Sequence, residues 1–215
     1  MNTILKLSSL YDDESWSIPG ALTIDLRSLE GCCCYCDPEA EESIKAAMSG
    51  AQTAGVHWID TGDYHFITKF WLERLGEPFL LSLFDNHPDD GQDSLGGGLL
   101  SCGNWVAACK DKLPLMRGSF RNTASLPRSL PVYLSIDLDV LSPQWARTDW
   151  SQGEMSLPEL LQAIDAISKE HRVLGVDICG GLTVAKGARP ADLSINVRTR
   201  MLLTDYLSSH PLVSG

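Results

Sequence analysis

Phe79 to Phe84 is an apolar run broken only by Ser82, and the chain then turns abruptly into Asp85-Asn86-His87-Pro88-Asp89-Asp90-Gly91. A short run of this kind, closed by turn formers, suits a strand buried on both faces, which requires a parallel sheet covered by helices on each side. Further β-rich runs lie at Ala21 to Leu26, Val56 to Asp60, Val132 to Ile136 and Val173 to Ile178. Helical segments separate them. Asp37 caps one, with Pro38 at its first position, Glu39, Glu41 and Glu42 at its positive end and Gly50 closing it. A second passes through Phe70 and Trp71 to Leu75 and stops at Gly76. Ser156 and Glu159 form a capping box that opens a third, to about Glu170, and a last helix runs from about Pro190 to Leu207. The alternation predicts an α/β protein, a three-layer α/β/α arrangement with a mainly parallel sheet. The stretch from Gly91 to Arg128, with its glycines at 96 to 98 and a short apolar piece at Trp105 to Cys109, carries no clear pattern.

Composition bounds the class. With 215 residues, 44% hydrophobic and 21% charged, the chain can bury a sizeable core, and one domain over 1–215 is expected. Asp and Glu number 28 against 17 Lys and Arg, a formal charge of −11, with no basic block, so nucleic acid and anionic membranes are excluded as expected partners. Residues 1 to 11 hold too short an apolar run for a signal peptide, and no later stretch suits a membrane span. The seven cysteines, four of them at Cys32, Cys33, Cys34 and Cys36, do not form a disulfide framework and point to a reducing cytoplasm. That cluster lacks paired metal-ligand spacing and reads as loop or core thiols. Trp58, Trp71 and Trp105 read as core aromatics.

Acidic and histidine side chains gather where strands end: His65, then Asp85, His87 and Asp89, then Asp137 and Asp139. Carboxyl ends of strands are where parallel sheets bind ligands. Residues two apart on an extended chain face the same way, so each acidic group can converge on one pocket. If the groups meet, like charges about 5 Å apart repel by roughly 3 kcal/mol per pair at an effective dielectric near 20, or roughly 20 kcal/mol over the six pairs of four carboxylates. Two divalent cations neutralise that charge. The oxygen-rich, thiolate-free donor set favours two Mn²⁺ per chain, with magnesium and iron left open.

These motifs resemble the ureohydrolase family of arginase, agmatinase and formimidoylglutamase. Gly62-Asp63-Tyr64-His65 matches its G-x-x-H element, Asp85-Asn86-His87-Pro88-Asp89 its D-A-H-x-D, and Ser135-Ile136-Asp137-Leu138-Asp139-Val140-Leu141-Ser142-Pro143 its S-x-D-x-D-x-x-D-P. The resemblance implies an arginase-like fold, a metal-bridging hydroxide as nucleophile, and hydrolysis of a linear C–N bond in a small guanidino, amidino, ureido or amide compound. It also implies that Asp85 and Asp137 bridge the metals, that His65 and Asp89 complete one site and His87 and Asp139 the other, and that copies can associate into a homo-oligomer.

The chain departs from the family pattern in several places. Gly180, in Asp177-Ile178-Cys179-Gly180-Gly181, occupies the position of the Glu that holds a guanidinium. The segment between Asp89 and Asp137 is short, and no shuttle His lies between Asp89 and Trp105. Ser142 replaces the third Asp of the last motif. Asp177 and Cys179 are expected at the substrate-binding rim, and Cys102 falls in a segment where the family binds substrate. These departures rank ordinary arginase activity below another C–N hydrolysis. They also leave two rivals: a metal-binding relative that no longer catalyses, and a one-metal deacetylase.

Overall fold

The structure is a computed structural model describing residues 1–91, 98–121 and 126–210. In chain order its elements are β1 (Asn2–Lys6), α1 (Leu10–Asp13), β2 (Leu22–Asp25), β3 (Tyr35–Cys36), α2 (Pro38–Met48), β4 (Val56–Ile59), α3 (Thr68–Leu72) and β5 (Phe79–Phe84). β6 (Leu100–Ser101), α4 (Trp105–Lys112), β7 (Met116–Phe120), β8 (Val132–Asp137), α5 (Leu157–Glu170), β9 (Val173–Cys179) and α6 (Pro190–Ser209) complete them. Seven strands form one sheet in the order β2-β1-β4-β9-β8-β5-β7, and every pairing in it is parallel. β3 and β6 pair antiparallel as a separate two-stranded sheet.

The central strands are buried along their whole length because both faces are covered. Residues from α2, α3 and α4 pack on one face, where Ile44, Phe70, Trp71 and Trp105 meet Leu81, Leu83 and Tyr133. On the other, Tyr11 of α1, Leu160 and Ile164 of α5, and Leu203 of α6 meet Leu134, Ile136, Val176 and Ile178. This is the expected three-layer architecture. Local signals account for most helix starts. Asp37 accepts from the Ala40 amide at 2.8 Å, and Ser156 with Glu159 forms a complete capping box. No helix among the described residues is long and apolar enough to cross a membrane.

Three expectations are corrected. The sheet gains β1, whose five residues sit between β2 and β4, although residues 1 to 11 carry no strand signal strong enough to stand out. The chain between Gly62 and Leu72 begins as a 3-10 helix over Gly62–Ile67 before α3 takes over. The unpatterned segment contains β6, α4 and β7; glycines 96 and 97 lie outside the described residues.

Arg200 of α6 is fully buried, donates to Glu14 through Nε at 2.5 Å, and donates through a terminal nitrogen to the Gly180 carbonyl at 2.7 Å. It thereby ties α6 and α1 to the turn that follows β9. A buried charge stripped of its partner is strongly destabilising. Replacing Glu14 by Gln (Glu14→Gln) is expected to lower unfolding free energy by about 3–5 kcal/mol in urea denaturation; a loss under about 1 kcal/mol would show that the pair carries little.

Candidate metal centre

β5 and β8 are adjacent and in register, Phe84 beside Ile136, so the residues that follow them emerge side by side at the carboxyl edge of the sheet. β9 lies on the far side of β8, with Cys179 opposite Asp137. The 3-10 helix Gly62–Ile67 crosses this edge from the end of β4 and delivers His65. Gly62 has to be small. A Cβ there would come within 3.0 Å of both Asp137 Oδ2 and the Trp150 ring, so the first residue of the G-x-x-H element is what lets the helix approach the carboxylate.

All six expected ligands gather here. His65 Nδ1 lies 3.2 Å from Asp85 Oδ2, 3.2 Å from Asp89 Oδ2 and 3.6 Å from Asp137 Oδ2. His87 Nδ1 lies 2.7 Å from Asp139 Oδ2 and 3.7 Å from Asp85 Oδ1. Asp85 thus turns one oxygen to each histidine, as a bridging carboxylate does. Asp137 is closer to His65, and its other oxygen accepts from the Asp139 amide at 2.9 Å. The convergence does not come from strand alternation as expected. The chain curls after Asp85, and Asp89 adopts a left-handed backbone with φ +47, while Asp139 sits in a 3-10 turn over Leu138–Val140. Such backbone strain is held where surrounding contacts demand it. Here the Asp89 carbonyl accepts from the Val106 amide at 3.0 Å, and its carboxylate from Trp105 Nε1 at 2.7 Å.

Donor spacing and electrostatics both fit cations. Metal–ligand bonds near 2.1 Å at angles between a right angle and tetrahedral put neighbouring donors about 3.0–3.4 Å apart, and the separations from His65 to Asp85 and Asp89, 3.2 Å each, fall in that range, with Asp137 slightly beyond it at 3.6 Å. His65 Nε2 is bonded to Ser135 Oγ at 2.8 Å, which leaves Nδ1 to face the carboxylates. Asp85 Oδ2 is buried without a hydrogen-bond partner. Burial drives Asp137 well above the usual carboxylate range, with Asp139 and Asp85 adding to it. Burial, then Asp85, lifts Asp139 to about 7, and burial likewise raises Asp89. Asp85 goes the other way: burial is opposed and outweighed by the adjacent imidazole of His65, then by His87. Burial also disfavours charge on His65, yet Cys179, Asp85 and Asp89 together hold its pKa well above the ordinary value. By themselves these groups would be acids competing for protons, a competition that cations relieve.

Several supporting residues carried no sequence signal or were assigned no role. Ser135 lies two residues before Asp137 on the same strand face, so the strand period could have placed it. Ser151 Oγ holds His87 Nε2 at 2.8 Å, and Trp105, expected only as core, holds Asp89. Neither pairing has a local cue. Asp63 accepts from Trp150 Nε1 at 3.2 Å, pairs with Lys186, and lies beside the Cys33 and Cys34 thiols. A cavity of about 410 Å³ opens over the cluster, with Cys34, Ser101, Cys102 and Trp150 among its described walls.

The structure does not bring Asp177 to this cavity. Its carboxylate accepts from Tyr133 at 2.6 Å and pairs with His57 at 2.8 Å inside the core, one pleat below the rim. Cys179 is fully buried against Asp137, with Sγ 3.1 Å from Oδ2, rather than at the cavity wall. Gly180 has φ +98, and a Cβ there would fall 2.5 Å from Asp137 Oδ1, so no carboxylate-bearing side chain fits at the guanidinium-holding position.

No family model matches the chain. An uncharacterized protein of Thermotoga maritima is 27% identical over 196 residues, covering 82% of this chain and 78% of that one. Among solved structures, the formimidoylglutamase of Bacillus subtilis superposes with a TM-score of 0.63 at 14% identity, over all of this chain and 87% of its own. A triple mutant of a T. brucei arginase-like protein, bound with Mn²⁺, gives 0.61 at 15% identity, over 97% and 90%. The chain has the arginase-like α/β fold.

Gly180→Ala is expected to destabilise the protein by about 1–2 kcal/mol from its left-handed backbone alone and to weaken metal binding by displacing Asp137. Denaturation and metal titration check both effects, and a variant as stable and as metal-avid as the parent would contradict the geometry. Gly180→Glu is expected to yield no guanidine hydrolysis.

Proposed function

We propose that this protein is a binuclear metal-dependent hydrolase that cleaves a linear C–N bond in a small amidino, ureido or amide compound, with Mn²⁺ as its metal. The observation that carries this is the convergence of Asp85, Asp89, Asp137, Asp139, His65 and His87, with Asp85 facing both histidines. His65, Asp85, Asp89 and Asp137 would hold one ion; Asp85, His87 and Asp139 would hold the other. When bound, a pair of divalent cations acidifies water near neutral pH and stabilises negative charge developing on a trigonal carbon as it becomes tetrahedral.

The chain's own residues do the rest. Ser135 and Ser151 fix the two imidazole rings, Trp105 fixes Asp89, and the His87 and Asn86 amides hold Asp85 and Asp139 at 2.6 and 2.9 Å. These bonds leave the cluster little freedom to reorganise during reaction. The cavity has room for a small ligand. Gly180 leaves no carboxylate at the position expected to hold a guanidinium, which ranks arginine-type substrates below other amidino, ureido or amide compounds. The same absence favours a second reading, a metal-binding relative without turnover.

Purified protein reconstituted with Mn²⁺ is expected to retain about two ions per chain, and Asp85→Asn and Asp137→Asn to lose metal and turnover together. Elemental analysis decides: full metal content in either variant overturns the assignment. A turnover screen of guanidino, ureido and acylated amine compounds separates hydrolase from silent relative, since metal-dependent release of amine or ammonia requires the former.

A further inference from the structure

The chemistry above leaves unused a fully buried nucleophile that touches its site. Cys179 is the last residue of β9, opposite Asp137 in the β8–β9 register, so backbone geometry fixes its thiol beside that carboxylate. Donor atoms of His65, Asp137 and Cys179 all lie within 4.8 Å of one another. Sulfur and oxygen bound to one cation at about 2.3 and 2.1 Å stand about 3.1 Å apart at a right angle and about 3.6 Å at a tetrahedral one. Cys179 Sγ is 3.1 Å from Asp137 Oδ2, within that sulfur–oxygen range, and His65 Nδ1 stands 3.6 Å from the same oxygen, slightly beyond the spacing of two donors at 2.1 Å. Asp85 Oδ2, buried without a hydrogen-bond partner, lies 3.2 Å from His65 Nδ1, the imidazole that the Asp137–Cys179 and Asp85–Asp89 donor groups share.

We propose that Cys179 is a thiolate ligand of the ion at His65, so that the two metal positions are chemically unlike. The proposal rests on the twin-metal reading and deepens it. On binding, the S–H bond breaks heterolytically, its proton passes to water, and the sulfur electron pair goes to the cation. The His65 position, with nitrogen, oxygen and sulfur donors, prefers a thiophilic ion of the Zn²⁺ or Co²⁺ type; the sulfur-free position of Asp85, His87 and Asp139 keeps the preference for Mn²⁺. Cys33 and Cys34 are a poorer thiolate site, because the Asp63 beside them is engaged by Lys186 and Trp150.

Cobalt substitution tests this without an assay for activity. The Co²⁺-loaded protein is expected to show visible ligand-field bands together with a near-ultraviolet thiolate-to-cobalt charge-transfer band. Cys179→Ser should lose the charge-transfer band and keep the ligand-field bands, whereas the Cys33→Ser, Cys34→Ser double variant should keep both. Ligand-field bands without charge transfer, or charge transfer surviving Cys179→Ser, overturns the thiolate ligand and leaves the twin-metal centre standing. Absence of any cobalt binding overturns both. X-ray absorption of the zinc-loaded parent protein needs no variant: a sulfur shell at about 2.3 Å supports the ligand, and nitrogen and oxygen alone refute it.

Discussion

Carboxylates that share a buried site repel one another, and this protein places four of them at one end of its sheet. Asp85, Asp89, Asp137 and Asp139 are all buried, and the two histidines among them leave ring nitrogens turned toward the oxygens. The strong parallel pairing of β5, β8 and β9 holds these groups together; the edge cannot open to relieve the charge without unpairing strands buried on both faces. Burial first, and the neighbouring carboxylates after it, drive Asp137 and Asp139 upward, so that protons relieve the repulsion in part. Divalent cations relieve it more fully, because each offsets two negative charges.

The architecture around the cluster is arranged to keep it rigid. Ser135, Ser151 and Trp105 each hold one of the clustered side chains, and the left-handed Asp89 is pinned through both its carbonyl and its carboxylate. Behind β9, the Glu14–Arg200 pair grips the Gly180 carbonyl and packs the following turn so closely against Asp137 that no side chain fits there. The close packing at Gly180 is therefore part of the scaffold rather than the effect of a single exchanged residue.

The acidic motifs were legible because each is local: Asp85, His87 and Asp89 lie within five positions, and Asp137 and Asp139 flank one residue. Their meeting could be expected from the strands that precede them. The mode of meeting could not, since the loop after β5 reverses through Asp89 rather than continuing as a strand. Asp177 reads as a rim residue from its place near a strand end, yet Tyr133 and His57 from neighbouring strands claim it for the core, and such long-range pairing leaves no trace in local pattern. The same limit hid Trp105 and Ser151. β1, short and with polar residues at both ends, and β7, a partly exposed edge strand, lack the continuous apolar run that marks β5.

Anomalous diffraction from crystals grown with manganese addresses the central claim most directly. The account predicts two peaks about 3.5–4 Å apart, one ringed by His65, Asp85, Asp89 and Asp137 and the other by His87, Asp85 and Asp139. A blank map at this edge of the sheet, or one peak with His87 turned away, would contradict it.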